Sequence, residues 1–467
     1  MRYVPDALVV IYDHAPVWTR SVASTLYGVL KHWRESGPVF QKFLAELEES
    51  QWWSRERLAE LQADRLRALV RHAAETVPYY GRVFAAHGIV ASQIQTPDDL
   101  SRLPVLGKET VRREGRNLIS RRVAMRDLQG ESTSGTTGKP LTLWLDRQAY
   151  LAARAAQWLH HRWAGYSHRE WIGILAGYNV VPQRRQRPPV WTINREGRQV
   201  HFSTRHLRAP LMTAMATKMR EQKIQFLLGY PSAIGLFARH LLAHSESLPL
   251  LGVFLSSEPV YQWQSEAMEK AFGAPLFNYY GQAEKALTAA SCGHGLEMHL
   301  NMELSIAEFT LHPAIEGRQL LLGTSLLNYG MPLIRYELED VTHEVTGPCR
   351  CGREHPRIGP VETHSDDFIV SSDGSMIPPS LFYIPFQGVR GVTSSQIVQE
   401  DTGRVTVNLV ADPEFTPDEE RRLLHSLSMT LGTGMKVAVR RVPEISRTTS
   451  GKFRFVVSKV SHEVLHG

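Results

Sequence analysis

Hydrophobic residues recur at helical spacing within residues 55–80. Leu66, Leu69 and Ala73 follow one another at intervals of three and four, which places their side chains on one face of a helix. Proline lacks the amide hydrogen that a helix needs, so Pro78 interrupts the pattern. These positions predict an amphipathic helix that ends near Pro78.

From about residue 150 to residue 360, helical spacing alternates with short runs rich in β-branched and aromatic residues. Residues 148–163 and 210–222 have helical spacing, whereas residues 171–175 and 252–255 are strand-like. Helices that alternate with short strands are typical of a largely parallel sheet. The pattern therefore predicts an α/β architecture for most of the chain.

The pattern changes in the last part of the chain. Strand-like runs at residues 396–399 and 404–411 flank the polar residues 400–403, an arrangement typical of a β-hairpin. Another strand-like run follows at residues 437–442. We therefore expect a hairpin and one further strand in this region.

A helix is expected between the hairpin and the last strand. Thr416 precedes a proline, and Glu419 stands three residues after the threonine, so the two residues predict a capping box for a helix through about Leu431. The resulting β-β-α-β order indicates a small α+β domain. We expect this domain at residues 366–467, after a larger body of residues 1–365.

The composition is that of a globular protein. The chain has 467 residues, 43% of them hydrophobic and 21% charged, which is enough for two to four domains. No segment approaches the run of about 18 uncharged apolar residues that a membrane span needs. Asp13 and His14 interrupt the apolar patch near the N-terminus, so a secretory signal is not expected. These features predict a soluble, cytoplasmic protein without a transmembrane segment.

The net charge is +6, from 53 basic and 47 acidic residues. A positive balance raises the question of nucleic-acid binding. The basic residues are spread along the chain, however, and the longest cluster, at residues 184–187, stands beside two prolines as in a solvated loop. We therefore expect no nucleic-acid partner.

Residues 132–140 combine glycines, hydroxyls and a lysine. The glycines allow the backbone to approach an anion, the hydroxyls donate to phosphate oxygens, and Lys139 adds a positive charge. The segment is not a Walker loop, because Thr133 stands where the first glycine of that motif belongs and Pro140 follows the lysine. The segment predicts a phosphate-binding loop with the following members: Ser132, Thr133, Ser134, Gly135, Thr136, Thr137, Gly138 and Lys139.

The three cysteines are too few for a disulfide framework, and their spacing indicates a metal site. Cys349 and Cys351 form a Cys-x-Cys pair, and Cys292 and His299 form a Cys-x6-His pair. Three thiolates and one imidazole complete a tetrahedral zinc shell that leaves no open position for catalysis, so we expect a structural zinc ion. Two other histidines compete for the fourth position: His294 and His355.

Together with its neighbours, the loop at residues 132–140 resembles the phosphate loop of the adenylate-forming superfamily. Closer still is the resemblance to the phenylacetate–coenzyme A ligase group with its capsule-biosynthesis-type relatives. Further segments that resemble this group follow in the family's order along nearly the whole chain. These segments are residues 66–112, 229–232, 256–259, 279–284, 334–340 and 450–452.

The resemblance implies an AMP-forming ligase. Such an enzyme activates a small carboxylate with ATP and Mg²⁺ as an acyl or aryl adenylate and transfers the acyl group to a thiol or an amine. Coenzyme A is the acceptor that the resemblance favours, and an amine, a sugar or a carrier is the alternative. The implied fold is α/β: a large body of several subdomains, with parallel sheets and a small β-barrel-like part, and a small C-terminal α+β domain that rotates between the two half-reactions.

The resemblance also assigns catalytic roles. Lys452 matches the lysine whose charge stabilises the transition state at the carboxylate and the α-phosphate. Glu284 follows a Tyr-Gly turn and matches the carboxylate that holds Mg²⁺ against the phosphates of ATP. Thr137 belongs to the part of the loop that contacts these phosphates.

Four further residues match the nucleotide site. Tyr280 and Gly281 match residues that line the adenine and acyl pocket, and Glu258 lies in the segment that matches the adenine-binding segment. Asp340 matches the aspartate that binds the ribose hydroxyls, and we expect it at the end of a strand.

The chain departs from the family at the hinge between the two domains. Family members carry Gly-Arg-x-Asp-Asp there, whereas this chain has Thr363 and His364 in place of the glycine and the arginine. A neutral imidazole cannot make the forked cationic contact of an arginine. The departure favours weaker nucleotide binding or a different resting orientation of the small domain, and it leaves a non-catalytic nucleotide-binding protein as a further alternative.

Overall fold

The structure is a computed structural model. It describes residues 15–132, 141–182, 184–311, 319–361, 368–377, 379–386, 388–432, 434–445 and 454–460. The α-helices are α1 (Val17–Glu35), α2 (Pro38–Ser50), α3 (Arg55–Thr76), α4 (Pro78–Ala86), α5 (Lys108–Glu114), α6 (Arg147–Trp163), α7 (Ala209–Glu221), α8 (Pro231–Ala243), α9 (Gln262–Phe272) and α10 (Pro417–Leu431). Short 3-10 helices lie at Ala91–Gln93, Pro97–Arg102, Gly115–Leu118, Met125–Asp127, Thr204–His206 and Pro379–Phe386.

The strands follow the same chain order. They are β1 (Gln129–Ser132), β2 (Thr142–Leu145), β3 (Ile172–Leu175), β4 (Trp191–Asn194), β5 (Gln199–Phe202), β6 (Phe226–Gly229), β7 (Gly252–Ser256), β8 (Leu276–Gly281), β9 (Thr288–Ser291), β10 (Met298–Leu300), β11 (Ser305–Leu311), β12 (Gln319–Ser325), β13 (Tyr336–Thr342), β14 (Glu344–Val345), β15 (Arg357–Ile358), β16 (Ile369–Val370), β17 (Met376–Ile377), β18 (Val392–Asp401), β19 (Arg404–Ala411), β20 (Lys436–Arg441) and β21 (Val456–Ser458).

A ten-stranded sheet forms the centre of the body, with the order β14-β15-β10-β9-β8-β7-β6-β3-β5-β4. Strands β8, β7, β6, β3 and β5 are parallel to one another. All four residues of β3 are buried, as expected for a strand of a parallel sheet that is covered on both faces. The predicted α/β architecture is confirmed.

The predicted helices of the body are present. Helix α3 begins after Ser54, whose side chain accepts a hydrogen bond from the amide of Arg57 at 3.4 Å, and it ends at Thr76, two residues before Pro78. Helix α6 begins after Asp146, whose carboxylate accepts from the amide of Ala149 at 2.8 Å. Both starts follow the usual preference for a side-chain oxygen at the N-cap.

Two smaller sheets complete the body. Strands β1 and β2 form an antiparallel pair, and β11, β12 and β13 form a three-stranded antiparallel sheet. The second sheet shares a hydrophobic cluster with α3 and α4, in which Leu66, Leu69 and Tyr336 are fully buried. The body therefore has more than one core, and the sequence-predicted face of α3 packs into one of them.

The C-terminal segment has a hydrophobic cluster of its own, with Ile397, Val407 and Leu423 fully buried. Strands β18 and β19 form the predicted antiparallel hairpin, and β20 is parallel to β19. The sequence interpretation missed β21, which is parallel to β18 and gives the sheet order β20-β19-β18-β21. The predicted hinge at Asp366 lies outside the described residues.

Helix α1 packs on the main sheet with its small polar side chains rather than its large apolar ones. The amide of Ile193 in the edge strand β4 donates to Ser21 Oγ at 3.2 Å, and the amide of Arg195 donates to Thr25 Oγ1 at 3.1 Å. A Cβ atom at Gly28 would lie 2.6 Å from Asn194 Oδ1, so a larger residue here would displace the Asn194 side chain. The helix therefore supplies partners to the free edge of the sheet.

Within the described ranges, α1 and the other helices are either too short or too polar to cross a membrane.

Candidate functional site

The site is built at one edge of the main sheet. Strands β3, β6, β7 and β8 are parallel, so their carboxyl ends meet at the same edge. The segments that follow these strands are residues 176–180, 230–232, 257–258 and 282–284. Ligands of α/β proteins bind in the crevice outside such strand ends. Three of the family-matched segments therefore converge here, although they are separated in the sequence.

Tyr280 and Asp340 are in direct contact. The hydroxyl of Tyr280 donates a hydrogen bond to Asp340 Oδ2 at 2.5 Å. Burial and the adjacent Asp340 carboxylate raise the pKa of Tyr280 well above its usual value, so its hydroxyl stays protonated and able to donate. Asp340 lies inside β13 and not at the end of a strand, so that part of the expectation is wrong.

Glu284 lies in the turn after β8 and is buried. Its Oε1 accepts a hydrogen bond from the hydroxyl of Tyr336 at 3.1 Å. The next residue, Lys285, has a φ of 53°, and burial lowers the pKa of its amine. A buried carboxylate that is held at one oxygen has a second oxygen that can bind a hard cation such as Mg²⁺.

Glu258 lies beside the start of α8. Its Oε2 accepts a hydrogen bond from the amide of Ser232 at 3.1 Å, in the first turn of that helix. The preceding residue, Ser257, has a φ of 71°, in the left-handed region that a non-glycine residue rarely adopts. The turn that carries Glu258 is therefore strained, a feature that is common at binding sites.

Several predicted residues lie outside the described residues. They are Thr133, Ser134, Gly135, Thr136, Thr137, Gly138, Lys139 and Lys452, and the hinge substitutions Thr363 and His364. Ser132 is the last residue of β1 and pairs with Thr142 of β2, so the predicted phosphate loop connects two antiparallel strands. Gly281 is the last residue of β8, next to Tyr280.

The three cysteines and His299 form one cluster. The four ligand atoms all lie within 4.8 Å of one another. Cys292 Sγ is 3.5 Å from Cys349 Sγ, and Cys351 Sγ is 3.4 Å from His299 Nε2. A tetrahedral zinc ion with bonds of about 2.3 Å to sulfur would hold its ligand atoms roughly 3.8 Å apart. The donors and their separations therefore fit a zinc ion.

The neighbouring strands β9, β10 and β15 bring this cluster together. Cys292 follows β9, His299 lies in β10, and the Cys349–Cys351 segment lies between β14 and β15. His299 Nδ1 is 3.3 Å from the carbonyl oxygen of His355, which orients the ring. The ring of His355 instead contacts the carboxylate of Glu303 at 3.0 Å, so His355 is not part of the group.

The sequence interpretation missed the residues near the C-terminal end of α1. Lys31 of α1 and Arg154 of α6 both line a cavity that reaches Tyr178 and Asn179, after β3. The available signal was the spacing of small and polar residues along α1, from Ser21 to Lys31. That stripe is a packing face, and the large apolar residues lie on the exposed side of the same helix.

Comparisons with known proteins cover nearly the whole chain. Residues 369–459 match the family model of the CapK C-terminal domain. Protein CapK of Staphylococcus aureus is 22% identical over 460 residues, which span 96% of this chain and 99% of the relative. The phenylacetate-coenzyme A ligase of Aromatoleum evansii is 24% identical over 463 residues, which span 90% of this chain and 99% of that ligase.

A solved structure has the same fold. The 2-hydroxyisobutyryl-CoA ligase in complex with 2-HIB-AMP and CoA superimposes with a TM-score of 0.56 at 18% identity, over 90% of this chain and 94% of the ligase chain. The likeness extends through the body and the C-terminal segment. The chain is thus a homologue of Protein CapK and phenylacetate-coenzyme A ligase, with the adenylate-forming ligase fold.

Proposed function

We propose that this protein is an AMP-forming ligase that activates a carboxylic acid with ATP and transfers the acyl group to coenzyme A. A carboxylate oxygen of the acid attacks the α-phosphorus of ATP, and the bond to pyrophosphate breaks. The thiol sulfur then attacks the acyl carbon, the bond to AMP breaks, and the thiol proton is released. The products are AMP, pyrophosphate and a thioester.

The observation that carries the proposal is the meeting of Tyr280, Glu284 and Asp340 at the carboxyl ends of the parallel strands. Tyr280, in β8, donates a hydrogen bond to Asp340, and Glu284 lies four residues later, in the turn after that strand. Full-length similarity to a phenylacetate-coenzyme A ligase supports the same reaction. A neighbour of the same fold binds an acyl adenylate and CoA.

This geometry and the family match support the following residue roles. We assign Asp340 to the ribose hydroxyls, with Tyr280, Gly281 and Glu258 around the adenine and the acyl group. Glu284 would hold Mg²⁺, which when bound neutralises the phosphates of ATP. The loop from Ser132 to Lys139, including Thr137, would bind the same phosphates, and Lys452 would stabilise the charge that develops in the transition state.

We also propose a structural zinc ion at Cys292, His299, Cys349 and Cys351. Its support is the compact set of three sulfurs and one imidazole nitrogen, each within 4.8 Å of the others. Four protein ligands leave no position for substrate, so such an ion would connect the strands without entering the reaction. All three cysteines are free of disulfides, which suits a reducing compartment, and we place the reaction in the cytoplasm.

The division into a body of residues 1–365 and a domain of residues 366–467 is part of the proposal. The separate hydrophobic cluster of the C-terminal segment supports it. Rotation of this domain would withdraw Lys452 after adenylation and admit the acceptor. Coenzyme A is the proposed acceptor; transfer to an amine, a sugar or a carrier, and a nucleotide-binding protein without activity, are the alternatives.

ATP–pyrophosphate exchange with a panel of carboxylic acids tests the proposal. We expect exchange with at least one acid, and thioester formation when coenzyme A is added. Lys452→Ala should lower the exchange rate about 100-fold or more, because it removes the charge that faces the transition state, while ATP binding persists. Lys459→Ala is the matched control, since that side chain is 67% exposed and forms a surface ion pair with Glu400.

ATP binding without exchange for any acid would contradict the ligase proposal and favour the inactive nucleotide-binding alternative. Exchange that is unchanged in Lys452→Ala would overturn the role of the lysine. Exchange without thioester formation, together with trapping of the adenylate by hydroxylamine, would replace coenzyme A by another acceptor.

A further inference from the structure

A cavity of about 570 Å³ lies between α1, α6 and the strands β3, β4 and β5. We call it the chamber. Its volume is within the range of about 300–1,000 Å³ that is usual for small-molecule sites. The lining residues that matter for its chemistry are Lys31, Arg154, His161, Tyr178, Asn179 and His201.

The chamber adjoins the strand-end site. Tyr178 and Asn179 line it directly after β3, and a Cβ atom at the neighbouring Gly177 would lie 2.7 Å from Tyr230 Oη, after β6. Tyr178 is 46% exposed, although burial raises the pKa of its hydroxyl. The exposed fraction and the raised pKa are consistent with each other, because the accessible surface of Tyr178 faces the chamber. The chamber therefore extends the crevice at the strand ends toward α1.

Two cationic side chains face the chamber. Burial lowers the pKa of the Lys31 amine, and the charge of Arg154 lowers it further. Among the described residues, Lys31 has neither a hydrogen-bond partner nor an ion-pair partner within 4.0 Å. Arg154 Nε lies 3.3 Å from Glu35 Oε2. Lys31 thus points a poorly solvated ammonium group into the chamber, a situation that an anion would relieve.

The charged and titratable groups around Lys31 and Arg154 leave a net positive charge at the chamber wall. Glu35 is the one carboxylate beside them in the described residues; it accepts from Tyr150 Oη at 2.6 Å and lies 3.6 Å from the exposed Arg34. Burial lowers the pKa of His201 to about 4 and that of His161 well below its usual value, so both imidazoles are neutral. The two positive charges of Lys31 and Arg154 therefore exceed the single negative charge of Glu35.

We propose that the chamber holds the remote part of the acid substrate and that Lys31 and Arg154 bind a second carboxylate on it. This inference rests on the proposed function, which places the reacting carboxylate at the strand ends. The side chains of Thr192, Asn194 and Gln199 add hydrogen-bonding groups to the wall. The substrate class is a dicarboxylic acid, in contrast to phenylacetate, whose phenyl group carries no charge.

The charge of Arg154 acts on two lysines. It lowers the pKa of Lys31 and contributes, after burial, to the lowered pKa of Lys285, the residue that follows Glu284. Removal of Arg154 would also take from the buried Glu35 the nearer of its two arginine partners, so this variant could fail to fold for a reason unrelated to the substrate. Lys31 carries no such partner and is the better position for a substitution.

Pyrophosphate exchange with matched acids is the first test. The probes are the straight-chain dicarboxylates from succinate to suberate and the monocarboxylates from butyrate to octanoate. We expect exchange to favour a dicarboxylate over the monocarboxylate of the same length. Lys31→Met should raise the KM for that dicarboxylate about tenfold and change the KM for the monocarboxylate less than about twofold. Lys42→Met, at an exposed lysine of α2, is the matched control.

Calorimetric titration of the same dicarboxylates without ATP is the second test. Binding to the native protein and to Lys42→Met, but about tenfold weaker binding to Lys31→Met, supports the chamber even if no exchange occurs, and then only the ligase proposal fails. Exchange with monocarboxylates alone leaves the ligase proposal intact and overturns this one. Absence of dicarboxylate binding, or equal binding to Lys31→Met, also overturns it.

Discussion

The contact between Tyr280 and Asp340 joins two residues that lie 60 positions apart. Asp340 is a middle residue of β13, and Tyr280 is next to the last residue of β8. The raised pKa of the Tyr280 hydroxyl keeps the donor protonated across the physiological range. Under the proposed function, the tyrosine positions the carboxylate that receives the ribose hydroxyls.

Tyr280→Phe tests this positioning role. Loss of the hydroxyl removes the donor at 2.5 Å and leaves Asp340 free to turn away from the ribose, so the KM for ATP in pyrophosphate exchange should rise about tenfold with a smaller change in kcat. Tyr79→Phe in α4 is the control, because it removes a tyrosine hydroxyl from the same hydrophobic cluster without touching the contact with Asp340. An unchanged KM for ATP in Tyr280→Phe would contradict the assignment.

At the scale of secondary-structure elements, the cluster of Cys292, His299, Cys349 and Cys351 joins strands β9 and β10 to the loop between β14 and β15. Strands β9 and β10 and the segment between β14 and β15 each contribute to it, and β14 and β15 lie at one margin of the ten-stranded sheet. Short strands at a sheet margin have few ladder hydrogen bonds. A metal ion at this position would therefore stabilise the margin of the sheet.

Zinc content and thermal unfolding test the metal proposal. We expect about one zinc ion per chain by elemental analysis, and a melting temperature that falls by about 5 °C or more after chelation or in His299→Ala. His294→Ala should retain both the zinc and the melting temperature, because His294 is not in the cluster. Equal losses in both variants, or a metal-free native protein, would exclude the proposed ligand set.

Helix α10 has one of the two hydrogen bonds of the predicted capping box. The Thr416 side chain accepts from the amide of Glu419 at 3.4 Å, as the sequence predicts. The Glu419 carboxylate does not close the capping box; it accepts hydrogen bonds from Arg390, at 3.0 Å from Nε. A charged partner from outside the helix thus replaces the local backbone amide.

At the scale of the whole molecule, the C-terminal segment contacts the site through Arg205. This buried arginine donates to Asn179 Oδ1 at 3.4 Å and to the carbonyl oxygen of Met429, in α10, at 3.3 Å. A second contact joins Arg208 and Asp373, whose nearest atoms are 3.8 Å apart. The Arg205 side chain therefore links the wall of the chamber to helix α10.

Arg205→Met should loosen this contact. We expect deuterium uptake in the last turns of α10 to rise about tenfold in rate, because the carbonyl of Met429 loses a charged donor. Arg220→Met is the control: Arg220 lies in α7 but pairs with Glu246 of the body. Unchanged uptake in Arg205→Met would show that other contacts hold the C-terminal segment in place.

Much of the fold was predictable because its signals are local. Apolar spacing and caps located α3, α6, α7 and α10, and the turn residues located the β18–β19 hairpin. Strand β21 was missed because a strand of three residues, Val456–Ser458, has too short a pattern, and only its pairing with β18 defines it. The polar inner face of α1 was missed because an amphipathic pattern normally places apolar residues inside.

For the candidate site, the sequence by itself determined the chemistry of the parts: the run of hydroxyls and glycines, the carboxylates after strands, and three cysteines with a nearby histidine. The tertiary structure decided which of them meet. It selected His299 over His294 and His355, because strand β10 places the imidazole of His299 beside the thiols. It also brought Lys31 and Arg154 to one chamber, because the two residues lie far apart in the chain and only the packing of α1 and α6 against the sheet brings them together.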